Sequence, residues 1–145
     1  MLAKSDWSGW QLVFHIGSRE VFLDIGDDEP VALFGGYQNA AAICEEGEVI
    51  FINRETAINS PESRIEASIL PGGEKASSDA CCNESVFALS ASGRVFTSAV
   101  ESSSSALHFT EVAELSGKEI VCLSGTHAHC LAVSKEGRVF GREIS

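Results

Sequence analysis

The chain has 145 residues, 44% of them hydrophobic, which is enough for one core. Twenty-one acidic against 10 basic residues give a net charge of −11, and no Lys/Arg cluster offsets it, so the surface repels phosphate backbones and no nucleic acid partner is expected. No apolar run reaches the ~18–20 residues of a membrane helix, and Met1-Leu2-Ala3-Lys4-Ser5-Asp6 leads into no secretory signal, so neither membrane insertion nor secretion is expected.

From the N-terminus, Trp10 to Ile16 and Glu20 to Ile25 flank Gly17-Ser18 and read as a hairpin, which Gly26-Asp27-Asp28-Glu29-Pro30 ends with turn residues. Residues 1–29 therefore form an opening, blade-completing unit. It serves either as outer strands or as a piece that closes a ring against the far end of the chain. Trp7 and Trp10 read as packing aromatics. Residues 20–48 carry eight acidic groups and no Lys or Arg. That stretch is either a solvated rim or a docking patch for a basic partner, with Asp24, Asp27, Asp28 and Glu29 as the candidate contacts.

Val31-Ala32-Leu33-Phe34 reads as a short buried strand, Gly35-Gly36 as a sharp turn and Ala40 to Ile50 as a hairpin. The polar segment from Asn53 to Pro71 contains two prolines that exclude regular pairing, and one outer strand is expected from Arg64 to Leu70. Gly72-Gly73-Glu74-Lys75 lacks the spacing of a phosphate cradle. A second unit runs from about Ala76 to Phe96, its first strand small and polar over Ala76 to Ala80. Ser102 to Ser105 marks a flexible excursion. Leu107, Phe109, Val112 and Leu115 are inward candidates with one break in period, and a third unit runs from Glu119 to Phe140. Helix signals are almost absent.

The three units are copies of one sentence. Ala41 to Ile50, Phe87 to Phe96 and Leu131 to Phe140 align on Gly47, Gly93 and Gly137, which stand 46 and 44 residues apart. A fixed period of this length marks a repeat architecture. Each copy is an apolar run, a polar turn closed by Gly, and a second apolar run. A type I turn followed by Gly at positive φ suits it. Neighbouring apolar positions such as Ala132-Val133 or Val139-Phe140 call for both faces to be covered, as in a sheet between two similar sheets. The fold class expected is all-β: antiparallel propeller blades over residues 30–145, about three of them.

These residues resemble the repeat of the regulator of chromosome condensation family. The likeness rests on the apolar-Ala-apolar run, the polar turn, Gly, a charged residue and Val-Phe, with Gly125 and His129-Cys130-Leu131-Ala132-Val133 ahead of the last turn. It covers about residues 30–142. The family usually continues with Trp-Gly and a Gly-Gln-Leu-Gly tail. Here Phe51 leads into Ile52-Asn53-Arg54 and Phe96 into Thr97-Ser98-Ala99, and only Phe140-Gly141 keeps a trace. The resemblance implies a ring of about seven blades, so this chain is expected to be part of a longer propeller or to complete its sheets with another chain.

No catalytic constellation is present. His127-Ala128-His129-Cys130 is the most tempting group, yet zinc needs about four converging ligands and no Cys-x2-Cys or second His pair supplies them. The resemblance accounts for His129 as a structural residue bonding across its blade. Cys81 and Cys82 point to opposite faces, and Cys44, Cys82 and Cys130 suit small core positions. Five cysteines without a signal are expected to be reduced thiols of a cytoplasmic or nuclear protein. No enzyme activity, cofactor or metal is expected.

The function expected is a protein–protein interaction module working through rim loops, with residues 24–29, 53–63 and 98–106 as contact regions. The resemblance implies an alternative: part of a guanine nucleotide exchange factor for a Ran-type small GTPase. No stretch matches an exchange wedge, so no catalytic residue is carried over.

Overall fold

A computed structural model describes residues 2–4, 10–16, 18–26, 29–35, 39–53, 67–82, 85–100, 107–126 and 128–143. Asp27, Asp28, His127 and most of the expected contact regions 53–63 and 98–106 lie outside them. The described elements are strands and two short 3-10 turns, as an all-β chain of antiparallel blades requires.

An opening meander joins β1 (Leu2–Lys4), β2 (Trp10–Ile16) and β3 (Arg19–Gly26) in the order β1-β2-β3. Ile16 pairs with Arg19 where the two strands of this hairpin join. Three meanders follow. The first blade runs β4 (Pro30–Gly35), β5 (Asn39–Cys44), β6 (Val49–Asn53), β7 (Ala67–Ser68). The second runs β8 (Ala76–Cys81), β9 (Ser85–Ser90), β10 (Val95–Ala99), β11 (Thr110–Glu111). The third has three strands, β12 (Ile120–Gly125), β13 (His129–Ser134) and β14 (Val139–Glu143).

Each central hairpin turns on its glycine. Gly47, Gly93 and Gly137 sit at φ +85°, +88° and +88°, where a Cβ would be strained. Each donates its N–H back to the residue three before it, Cys44, Ser90 or Ser134, at 2.8–3.0 Å. The same turns staple blade to blade. The carbonyl of Gly47 accepts the N–H of Ala76 at 3.1 Å, and that of Gly93 accepts the N–H of Ile120 at 3.1 Å. The first N–H of β8 and of β12 is thus satisfied by the blade before it.

The inner strands share one irregularity that periodicity does not announce. Register shifts between Pro30 and Ala32, between Ala76 and Ser78, and between Ile120 and Cys122. Val31, Ser77 and Val121 are the extra residues, and all three are exposed. The strand expected to be buried from Val31 to Phe34 is therefore only half so. Val31 bulges out, Leu33 is 40% exposed, and Ala32 and Phe34 pack toward the second blade. The described outer strands are Ala67–Ser68, within the expected Arg64 to Leu70, and Thr110–Glu111, which leads into a 3-10 turn at Ala113–Leu115. Ala76–Cys81, despite its small polar residues, is a full strand.

Two clusters hold the blades together. Between the first and second blades lie Ala41, Ile43, Val49, Phe51 and Leu70 on one side, and Val86, Ala88, Phe96, Leu107 and Phe109 on the other. Between the second and third lie Phe87, Leu89, Val95 and Val112 against Ile120, Leu123, Cys130 and Ala132.

Candidate functional site: the open face and edge of the third blade

Aligning the blades on their turn glycines shows which surface lacks a neighbour. Ala41, Ile43 and Val49 of the first blade face the second and are 0%, 2% and 0% exposed. Their equivalents Phe87, Leu89 and Val95 face the third blade at 5%, 4% and 1%. The next equivalents are Leu131, Val133 and Val139. Leu131 is 47% and Val139 64% exposed, and Val133 is half-buried. Strand pairing puts them on one face, with Val133 opposite Val139 and Leu131 opposite Gly141. Large apolar side chains held on one rigid face are what an interface needs.

A second opening lies between the second and third blades. A cavity of about 520 Å³ is lined by Phe87, Val95, Val112 and Leu115 from one side and by Ala132 and Phe140 from the other. At the matching place between the first two blades, Leu107 and Phe109 are inserted and each is 6% exposed. The N–H of Leu107 is anchored there on Ser68 Oγ at 3.0 Å. Phe96 is consequently 1% exposed, while its equivalent Phe140 is half-buried.

Charged side chains flank Phe96, in the seam between the first and second blades. The Arg94 guanidinium lies 5.5 Å from the Phe96 ring centroid. It donates to Glu111 at 2.6 and 3.1 Å and to Glu74 at 3.2 Å. The hydrogen bond from Arg94 holds the Glu111 carboxyl below its ordinary range; at Glu74 the Ser92 hydroxyl does most of this, with Arg94 adding to it. Arg138 lies 5.5 Å from the Phe140 centroid in the same stacked arrangement.

Asp79, on β8, is the residue that sequence reading missed. It is 4% exposed, and neither carboxylate oxygen has a hydrogen-bond partner among the described residues. Burial pushes its pKa up from 3.8 to about 7. Through the shared bulge, pairing sets Asp79 opposite Ala88 just as Leu33 lies opposite Ala42 and Leu123 opposite Ala132. The other two repeats carry leucine there. The signal was present in the sequence but visible only after the bulge is counted. Cys81, on the same strand, is pushed up to about 12 by burial and by the nearby Asp79. It is no nucleophile.

The remaining expected residues are dispersed. Glu29 is exposed, and its carbonyl accepts the N–H of Glu45 at 2.8 Å. Asp24 lies on β3. The ring of His129 is exposed, and it is the carbonyl of His129 that accepts the Cys82 thiol at 3.5 Å across the blades. Cys44, Cys82 and Cys130 are buried, as is Cys81, whereas Cys122 is exposed. Among the described residues no three His, Cys, Asp or Glu side chains converge as a metal site would require.

No family model and no curated protein matches the sequence. Solved structures do. Human WBSCR16 superposes with a TM-score of 0.62 at 14% identity, covering 86% of this chain and 35% of that one. Prp20p of Saccharomyces cerevisiae, described with its binding to Gsp1p and histones, gives 0.62 at 20% identity over 79% of this chain and 32% of that one. Yeast RCC1 (Prp20) in complex with Kap60 gives 0.60 at 10% identity over 86% and 41%. A segment of HIRA gives 0.64 at 12% identity over 97% and 45%. The chain spans less than half the length of each. It is built from antiparallel blades of the RCC1-type β-propeller.

Proposed function

We propose that the chain is a non-catalytic protein-binding module in which propeller blades present an apolar end face and rim to other polypeptides. One observation carries this reading. The face that buries Phe87, Leu89 and Val95 in one blade leaves Leu131 and Val139 open in the next. Burying those side chains is worth roughly 1.5–3 kcal/mol each, so another protein surface, further blades or a separate subunit, is the favourable cover. The proteins of like fold described with Gsp1p, histones and Kap60 bind proteins themselves, which supports the class of partner. The reduced cysteines suit the cytoplasm or nucleus.

Sedimentation of the full chain with an apolar-surface dye tests the proposal. Association or dye binding is expected, and Leu131→Asp with Val139→Asp should abolish both without unfolding the chain. A dye-silent, cooperatively folding monomer would overturn it. A nucleotide-release assay on a Ran-type GTPase separates the alternative: a binding module leaves the release rate unchanged, whereas an exchange factor raises it.

A further inference from the structure

Two thiols meet across the seam between the second and third blades. Cys82 directly follows β8 and is 2% exposed, and Cys130 lies on β13 and is 5% exposed. Both belong to the cluster that joins these blades, and both are free thiols. The Cys82 sulfur is fixed against the third blade from several sides. Its thiol donates to the His129 carbonyl at 3.5 Å. The Cys130 thiol and the Thr126 N–H reach it as hydrogen-bond donors. A Cβ at Gly125 would stand 3.1 Å from the Cys82 sulfur. Gly125 is the strand partner of Cys130, so the missing side chain at that position is what lets the two sulfurs come together.

The Cys82 backbone is held as firmly as its sulfur. Its N–H donates to the Ser85 carbonyl at 2.9 Å, and its carbonyl accepts from Asn39 Nδ2 of the first blade at 2.8 Å. Cys82 thus stands where three blades meet. Burial raises its thiol above the ordinary range, while the bonds from Cys130 and Thr126 favour the thiolate. The neighbouring Cys81 does not share this setting. It belongs to the other cluster, between the first and second blades, and burial pushes it up to about 12. Cys122 is exposed, its thiol 3.8 Å from the Leu123 carbonyl. A buried cysteine is ordinarily a small apolar residue. Two buried thiols in mutual contact on separate blades, with a glycine clearing the space beside them, are also the precursor of a disulfide.

We propose that Cys82 and Cys130 form a peroxide-responsive dithiol that closes to a disulfide between the second and third blades. The oxidant is a peroxide, small enough to reach a buried thiol. The Cys82 thiolate attacks one peroxide oxygen. An S–O bond forms, the O–O bond breaks, and the leaving hydroxide takes up the proton that Cys82 released, giving the first water. The Cys130 sulfur then attacks the Cys82 sulfenic acid. The S–S bond forms, the S–O bond breaks, and the leaving hydroxide takes the Cys130 proton as the second water. The two thiols supply the two electrons that reduce the peroxide. The bridge ties the end of β8 to β13 and closes the chain between them into a loop, which stabilises the join. Cys130 and Leu131 point to opposite sides of β13, so the bridge is independent of the apolar end face.

Hydrogen peroxide added to the full chain, followed by alkylation of the remaining thiols and bridge mapping by tandem mass spectrometry, tests the proposal. A Cys82–Cys130 bridge is expected, with Cys44 and Cys81 still free to be alkylated. Dithiothreitol should reverse it. Without reductant, the oxidised chain should need more urea to unfold than the reduced chain. In a chain unfolded by urea beforehand, the same treatment should scatter bridges among the five cysteines. Cys81→Ser and Cys122→Ser should keep the bridge, and Cys82→Ser and Cys130→Ser should lose it. The wild-type map decides the matter even where a variant fails to fold. Bridging through Cys81 in place of Cys82, or an unbridged pair under peroxide that oxidises the exposed Cys122, would overturn the inference. So would a bridge yield no higher from the folded chain than from the unfolded one, or a urea midpoint that oxidation leaves unchanged.

Discussion

Asp79 should make this protein less stable as pH rises toward neutrality, the reverse of what a paired carboxylate does. It pairs opposite Ala88 and lies two residues before Cys81 on the same strand, both of them in the cluster between the first and second blades. Cys81, in the same cluster, is raised to about 12 by burial and by Asp79, so it stays protonated. The folded pKa lies near 7 against 3.8 for the free group, so the folded state holds its proton longer than the unfolded state. Stability is then full below pH 3.8, falls by about 1.4 kcal/mol per pH unit through the window, and levels off above pH 7. The total is about 4 kcal/mol, a large share of the roughly 5–15 kcal/mol a domain has. Asp79→Asn removes the titration at nearly constant shape. Asp79→Leu restores the residue type of Leu33 and Leu123 and adds apolar burial, partly offset by about 1–3 kcal/mol of overpacking. Urea unfolding of the three proteins at pH 5 and pH 8 measures the effect. The wild type should lose about 2.7 kcal/mol between the two, and both variants should lose much less. A wild-type curve that does not move, or an Asp79→Asn protein with the same pH slope, would refute the reasoning.

Other outcomes follow from the same geometry. At Gly47 a Cβ would meet Lys75 Cα at 2.8 Å, while at Gly137 nothing among the described residues lies within 4 Å. Gly137→Ala should cost only the left-handed strain, about 1–2 kcal/mol, and Gly47→Ala clearly more, as compared by thermal unfolding. Phe96→Ala should cost about 3–5 kcal/mol and Phe140→Ala less, because the cavity already relieves one side of the Phe140 ring. Glu74 and Glu111 have depressed pKa values, so their contribution is present above pH 4.5 and is lost on acidification below it; Arg94→Gln should flatten that acid limb in a pH series. Elemental analysis of untagged protein should find no stoichiometric zinc, since His129 and Cys130 have no converging ligands among the described residues.

The repeats were legible because they are written three times. Ala-x-polar-turn-Gly-x-Val recurs at a steady period, and the turn glycines, the both-sided burial of Ala41 to Ile52 and the antiparallel pairing all follow from local chemistry. The outer strands were legible by region and not by bounds: Ala67–Ser68 falls within the expected Arg64 to Leu70, and Thr110–Glu111 within the alternation of Leu107 to Leu115. The bulge was hidden because Val31, Ser77 and Val121 share no side-chain type, only a position in the register.

What the sequence alone determined is the blade: its hairpins, their turns and the residues able to be buried, since these depend on neighbours within about ten positions. What tertiary structure decided is which buried-type residues find cover. Leu131 and Val139 read the same as Phe87 and Val95, Arg138 the same as Arg94, and Asp79 no differently from any acidic surface residue. Burial depends on what the adjoining sheet brings within about 10 Å, and that partner lies some 45 residues away along the chain or on another molecule. Identical local chemistry thus makes a sealed core in one blade and an open seat in the next.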